Sequence, residues 1–144
     1  MKKLILLSLV VSVLVSCKQD NKLIIPNKWT YDLDEMIKQT DKNLEKLETK
    51  AQIMEAYKNT YLNTYKGVSY DFDKSGKMTW DDHGTIRKGT WGLSDNDSTI
   101  VIKTDTIEVS LKMLKISPKQ IILQDNVVNT SPQFELSKPI LKAN

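Results

Sequence analysis

At 144 residues, with a formal charge of +3, 40% hydrophobic residues and a single cysteine, the chain has room for one domain and excludes an internal disulfide or a cysteine-based zinc site. Among its 21 basic residues only Arg87 is an arginine, and the lysines are spread along the whole sequence. A nucleic-acid binder needs a concentrated basic stripe, preferably with arginines for bidentate contacts, so nucleic acid is not expected as a partner.

The first element is an export signal. Met1-Lys2-Lys3 supplies a positive flank, and Leu4 to Val15, interrupted only by Ser8 and Ser12, supplies an apolar run. As a helix that run rises roughly 18 Å, short of the ~30 Å hydrocarbon core that a spanning helix must cross. The run ends in Leu14-Val15-Ser16-Cys17, which resembles the bacterial lipobox over those four residues: an aliphatic residue three before the cysteine, a small residue directly before it, and the sole cysteine of the chain. The resemblance implies that residues 1–16 are a lipoprotein signal peptide and that Cys17 becomes the acylated first residue, its thiolate having taken a diacylglyceryl group and its freed amine an N-acyl chain. No other cofactor is expected. Two or three acyl chains satisfy the two-signal requirement for stable anchoring, at ~0.8 kcal/mol per buried methylene. Removal of Lys2 and Lys3 with the signal takes two of the 21 bases and lowers the formal charge from +3 to +1. The expected location is the cell envelope, on the outer membrane, with the leaflet left open: Lys18-Gln19-Asp20 is a partial likeness to the short charged signals that send such lipoproteins to the cell surface.

Polar Lys18-Gln19-Asp20-Asn21-Lys22 follows Cys17 directly and reads as part of a lipidated tether over 17–26, ending at Pro26. Asn27 to Tyr31 follow as a short strand with Trp29 and Tyr31 on one face. Asp32-Leu33-Asp34-Glu35 then has the form of a capping box, with acidic charge at the positive end of a helix. The stripe Leu33, Ile37, Thr40, Leu44, Leu47, Ala51, Met54 and Tyr61 predicts one long helix over 32–63, missing a step at Lys58. That stripe suits packing on the protein's own sheet, a coiled coil with a second copy, or a partner's groove; Thr40, Ala51 and Lys58 make a poor zipper seam, which favours the first.

From Lys66 the period changes to two and turn residues recur every eight to twelve positions, predicting an antiparallel meander. Val68, Tyr70 and Phe72 share a face before the Asp73-Lys74-Ser75-Gly76 hairpin, and Met78 and Trp80 face inward on the next strand. Asp81-Asp82-His83-Gly84 turns the chain into a strand with Gly89, Trp91 and Leu93 on one face; Ser94-Asp95-Asn96-Asp97 turns it again. Ile100 and Ile102, then Ile107, Val109, Leu111 and Met113, pattern two more strands, and Ser117-Pro118-Lys119 leads into Ile121 to Leu123. Residues 129–144 form a C-terminal tail or add an edge strand near Phe134.

Trp29 in the first strand, the Asp73-x-x-Gly76 hairpin after an aromatic strand, Gly89-Thr90-Trp91-Gly92-Leu93, an acidic turn and a closing pair of strands together resemble the lipocalin-like lipoproteins of Bacteroidetes-type bacteria. The likeness covers Asn27 to Tyr31 and Lys66 to about Val128. It departs from the family at Asn27, where a glycine is usual, and in the inserted helix. The resemblance implies a mainly β (α+β) lipocalin-like domain over 27–128, an antiparallel meander forming a small barrel or half-barrel. It also implies either an apolar ligand in the barrel mouth or a scaffold used for contacts with another envelope protein. The candidate ligand-lining residues are Trp29, Tyr70, Phe72, Trp80, Trp91, Leu111 and Met113. With so many large side chains, a filled interior is the expectation, since an eight-stranded barrel is just wide enough to be filled by side chains or to hold one small ligand.

Catalytic groups are sparse. His83 is the only histidine and falls in a turn, so Asp81, Asp82 and His83 read as turn chemistry rather than as a metal site. Asp95, Asn96 and Asp97 begin like a calcium loop, but Ile100 and Thr106 occupy the positions of its glycine and bidentate glutamate. No enzyme and no metal is expected. The functional reading is a structural or accessory interaction module, with a carrier or sensor of a small apolar ligand as the alternative.

Overall fold

The computed structural model describes residues 20–124 and 136–144. Residues 1–16, expected as a signal peptide, and Cys17 and Phe134 lie outside the described residues. Eight strands run in sequence order and close into an antiparallel barrel: β1 (Lys28–Tyr31), β2 (Val68–Phe72), β3 (Lys77–Asp82), β4 (Thr85–Ser94), β5 (Thr99–Thr104), β6 (Glu108–Ile116), β7 (Gln120–Leu123) and β8 (Ile140–Ala143). The class is mainly β with a few helices, and the barrel is complete rather than half-open. Closure comes from β8 pairing with both β7 and β1, in the register Trp29↔Ala143 and Tyr31↔Leu141. Period-two patterning dictates the interior: Trp29, Tyr70, Phe72, Met78, Ile100, Ile102, Met113, Ile121, Leu123 and Leu141 are all buried in one continuous core.

The turns follow from their residues. Asp73 accepts the Ser75 N–H in the β2–β3 hairpin, 2.7 Å, and Gly76 supplies the left-handed backbone (φ +85). His83 and Gly84 form a two-residue β3–β4 turn with φ of +54 and +87, a combination whose twist matches that of the strands it joins. In the β4–β5 hairpin Asp95, Asn96 and Asp97 are all left-handed, a conformation Asn and Asp tolerate best after glycine. Asp95 fixes this turn by accepting from the Thr99 hydroxyl at 3.0 Å.

Three expectations need correction. The inserted helix is not continuous over 32–63. Asp32 does cap α2 (Leu33–Asn43) by accepting from the Glu35 N–H, 3.3 Å, but the chain bends over Leu44–Thr49 before α3 (Lys50–Ala56), a π-helical turn (Tyr57–Tyr61) and α4 (Leu62–Tyr65). No proline or glycine lies in the bend, so tertiary packing overrides helix propensity there: Leu44 is fully buried at the corner and the Thr40 hydroxyl accepts the Ser137 N–H, 2.8 Å. A straight helix of that length would extend about 45 Å, far past the barrel end, whereas folding back lets its apolar side chains cover that end. The π turn accounts for the seam that skips Lys58, because the extra residue brings Tyr57, Tyr61 and Tyr65 into line as buried side chains.

The stretch 17–26, expected as a tether, is folded over its second half. Asn21–Ile24 form a short helix, α1, capped by Asp20, and Ile25 is fully buried. Last, the C-terminal segment is no loose edge: Ile140–Ala143 is the closing strand. Its alternation is hidden because Ile140 and Leu141, on opposite faces, are both fully buried, with α2 packed against this strand. Among the described residues no helix is long and apolar enough to cross a membrane.

Candidate functional site

The seven side chains singled out as a ligand-lining set converge inside the barrel. Trp29 on β1 pairs with Tyr70 on β2, and Tyr70 stacks on Phe72 at 5.8 Å between ring centroids and lies 5.9 Å from Trp80. Phe72 in turn meets Trp91 at 5.4 Å. Trp29, Tyr70, Phe72 and Met113 are buried; Trp80, Trp91 and Leu111 are partly buried and pack on the same core. The rings therefore spend their surface on one another. Burial holds the Tyr70 hydroxyl above its ordinary pKa, opposed by its hydrogen bond with Tyr31.

Both ends of this interior are covered. At the start of β1, α1 folds over the barrel: the Trp29 Nε1–H donates to the Ile25 carbonyl at 2.8 Å, and the Asn21 amide donates to the Asp97 carbonyl, also at 2.8 Å. At the other end, α2–α4 contribute Met36, Leu44, Met54, Leu62 and the tyrosine row. Tyr57, Tyr61 and Tyr65 follow one another at 5.1 Å, and Tyr65 packs on Tyr31 at 4.4 Å, which reaches Tyr70 at 6.3 Å. An aromatic chain thus runs from the helical cap into the barrel.

Two further polar features belong to the capped end. Arg87, two residues before Gly89 on the inward face of β4, lies over the Trp80 ring at 5.6 Å and 3.8 Å from an Asp82 carboxylate oxygen. The Trp80 Nε1 and Arg87 Nε are buried without a hydrogen-bond partner among the described residues. Sequence reasoning passed over Arg87; its place in the Gly89, Trp91, Leu93 alternation was the available signal.

His83 forms the second feature, bridging the β3–β4 turn to the cap. Its Nδ1 lies 2.9 Å from the Asp82 carboxylate and its Nε2 3.2 Å from the Asn63 carbonyl. Both partners are acceptors, so only the imidazolium donates to both. The hydrogen bond to Asp82, then that to Asn63, raises the His83 pKa above 6.5, against a smaller opposing effect of burial. A raised folded value means that this contribution is fully present below the unfolded pKa of about 6.5 and is lost as pH rises through the folded value. Thermal unfolding scanned from acid to mildly alkaline pH is expected to show that loss. His83→Gln should flatten it, and an unchanged pH profile in the variant would remove the clasp.

Asp81 closes the same turn by accepting the Gly84 N–H at 2.7 Å, and among the described residues no three His, Cys, Asp or Glu side chains gather as a metal site. A surface depression of about 370 Å³ lies outside the barrel across β2–β4, lined by Asp71, Lys77, Thr79 and Lys88.

No protein-family model matches the chain, and no curated protein matches it. Among solved structures it is similar to the crystal structure of a DUF4847 family protein from Bacteroides vulgatus ATCC 8482, at 14% identity and a TM-score of 0.46, covering 85% of this chain and 95% of that one.

Proposed function

We propose that the chain is a non-enzymatic lipoprotein of the cell envelope, anchored by acyl groups on Cys17, in which a lipocalin-like barrel acts as a structural or accessory interaction module. The observation that carries the reading is the sole cysteine, at the end of Leu14-Val15-Ser16-Cys17 and directly after a charged flank and an apolar run. Support for a contact role comes from the packing of the domain. Ring stacks occupy the barrel interior and helices cover both ends, leaving outer surfaces as the ground for engaging another envelope protein. The membrane expected to carry the anchor is the outer one.

The deciding variant is Cys17→Ser, exported from a bacterial host. It should leave the membrane fraction, retain its signal peptide and migrate more slowly than the wild type, whose intact mass should include the acyl chains. Unchanged fractionation and mobility would sink the reading.

A further inference from the structure

We propose that the barrel does not hang free of its membrane but rests on it through the α1 end, with Leu23 inserted among the lipids. The inference rests on acylation at Cys17 and goes beyond it, because an anchor alone says nothing of how the domain is oriented.

Three observations carry it. The first is reach. Asp20 already caps α1 and is only three residues from Cys17, and a fully extended chain spans at most about 3.6 Å per residue, so α1 starts within roughly 11 Å of the acylated residue. The polar layer of one leaflet is about 5–8 Å deep, so even a fully extended connection carries α1 only a few Å beyond it, and the α1 end stays at the membrane surface.

The second is rigidity. The Trp29 indole holds the Ile25 carbonyl, Asn21 holds the Asp97 carbonyl, and Ile25 is fully buried, so α1 is fixed to the barrel end and cannot lengthen the tether without unpacking.

The third is what α1 presents. Leu23 is 76% exposed, more than the other exposed large apolar side chains among the described residues, Ile86 and Leu114. It stands on the element closest to the anchor. Beside it, Lys22 and Lys74 flank a depression floored by Trp91 and Leu93, apolar surface with cationic tips that reach toward phosphate.

Charge defines the kind of surface. Around this end, in α1 with its cap and in the β2–β3, β4–β5 and β6–β7 turns, Lys22, Lys74 and Lys119 are offset by Asp20, Asp73, Asp95 and Asp97. The contact therefore relies on apolar insertion and requires no anionic lipid; a zwitterionic phosphatidylcholine bilayer is sufficient. The opposite end, with α2–α4, then faces away from the membrane.

The test uses the full chain, exported and acylated in a bacterial host and reconstituted into phosphatidylcholine vesicles. Acylation consumes Cys17, so Leu23→Cys provides one free thiol for an environment-sensitive fluorophore, and Lys58→Cys provides the same probe on the exposed surface of the helical cap. The Leu23 probe should emit at shorter wavelength than the Lys58 probe. It should also be quenched several-fold more by lipids brominated on their acyl chains, as for a side chain about 5–10 Å into the headgroup–acyl boundary. Equal, water-like emission at both positions in vesicles that co-float with the protein would overturn the docked orientation while leaving the anchor standing. Protein that neither floats with vesicles nor carries acyl mass would overturn both.

Discussion

Replacing Trp29 by alanine is expected to cost about 3–5 kcal/mol of stability, the range for deleting a large aromatic side chain from a packed core. Trp29 has no exposed surface, and its strand neighbours are Tyr70 on one side and Ala143 on the other, so the cavity would open at the seam where the barrel closes. The indole Nε1–H also serves the Ile25 carbonyl, and its loss leaves that buried acceptor unpaired, a penalty of about 1–3 kcal/mol within the same total. For a domain of this size the change lowers the melting temperature by roughly 10–20 °C. Trp29→Phe should recover most of the packing but not the hydrogen bond, and so fall between the two. Chemical denaturation with the midpoint and slope fitted together is the measurement. A loss within about 0.5 kcal/mol, as at a surface site, would mean that Trp29 borders open space and that the interior is not filled.

Gly89→Ala is the second large effect, of the opposite kind. A Cβ at Gly89 would fall on the Lys103 carbonyl oxygen, 2.9 Å from its carbon and 3.1 Å from the Thr104 Cα. These are backbone atoms, so no side chain can swing aside; β4 and β5 must part where their pairing begins, at Gly89↔Thr104. Gly89 is also where β4, paired with β3 along its first half, takes up β5 along its second, and a glycine at such a barrel corner permits close approach of backbones. Overpacking of this sort costs about 1–3 kcal/mol where neighbours can shift, and the upper end or beyond is expected here. Gly92→Ala supplies the comparison, since its added Cβ meets nothing within 4 Å. Thermal unfolding of the pair should separate them by many degrees, and equal melting points would contradict the tight β4–β5 approach.

How legible this fold was in the sequence depended on whether local pattern and tertiary packing agreed. The meander from Val68 to Leu123 could be read because each strand buries one face and each turn carries Asp, Asn, Ser, Pro or Gly where the backbone needs it. β8 was not legible, because burial of both Ile140 and Leu141 erases alternation and leaves a short apolar run behind Pro139. The bend at Leu44–Thr49 carries no breaker; it exists because Leu44 and Thr40 are satisfied by the barrel and by Ser137, partners distant in sequence. In β6 the perfect alternation through Met113 ends in a register shift between Met113 and Lys115, which leaves Leu114 and Lys115 both exposed. The aromatic set inside the barrel followed from period two, whereas the tyrosine row that meets it depends on a π turn that no residue pattern announced.

The pairing of β1 with β8 has a consequence for the order of events as the chain emerges, N-terminus first, into the compartment where it folds. Thr30 and Asn144, which share a side-chain hydrogen bond, are 114 residues apart, so a chain emerging from its N-terminus makes its first strand early and the partner for that strand last. Until then the growing sheet has two raw edges, on β1 and on the newest strand, each offering unpaired amides and carbonyls to any other extended chain. Local hairpins from β2 to β7 can form as they emerge, but the ring cannot close, and closing so long a loop is a slow, non-local step. Such a molecule is most vulnerable to aggregation in the interval between completion of its meander and arrival of β8, and a chaperone that shields extended chain would act in that interval.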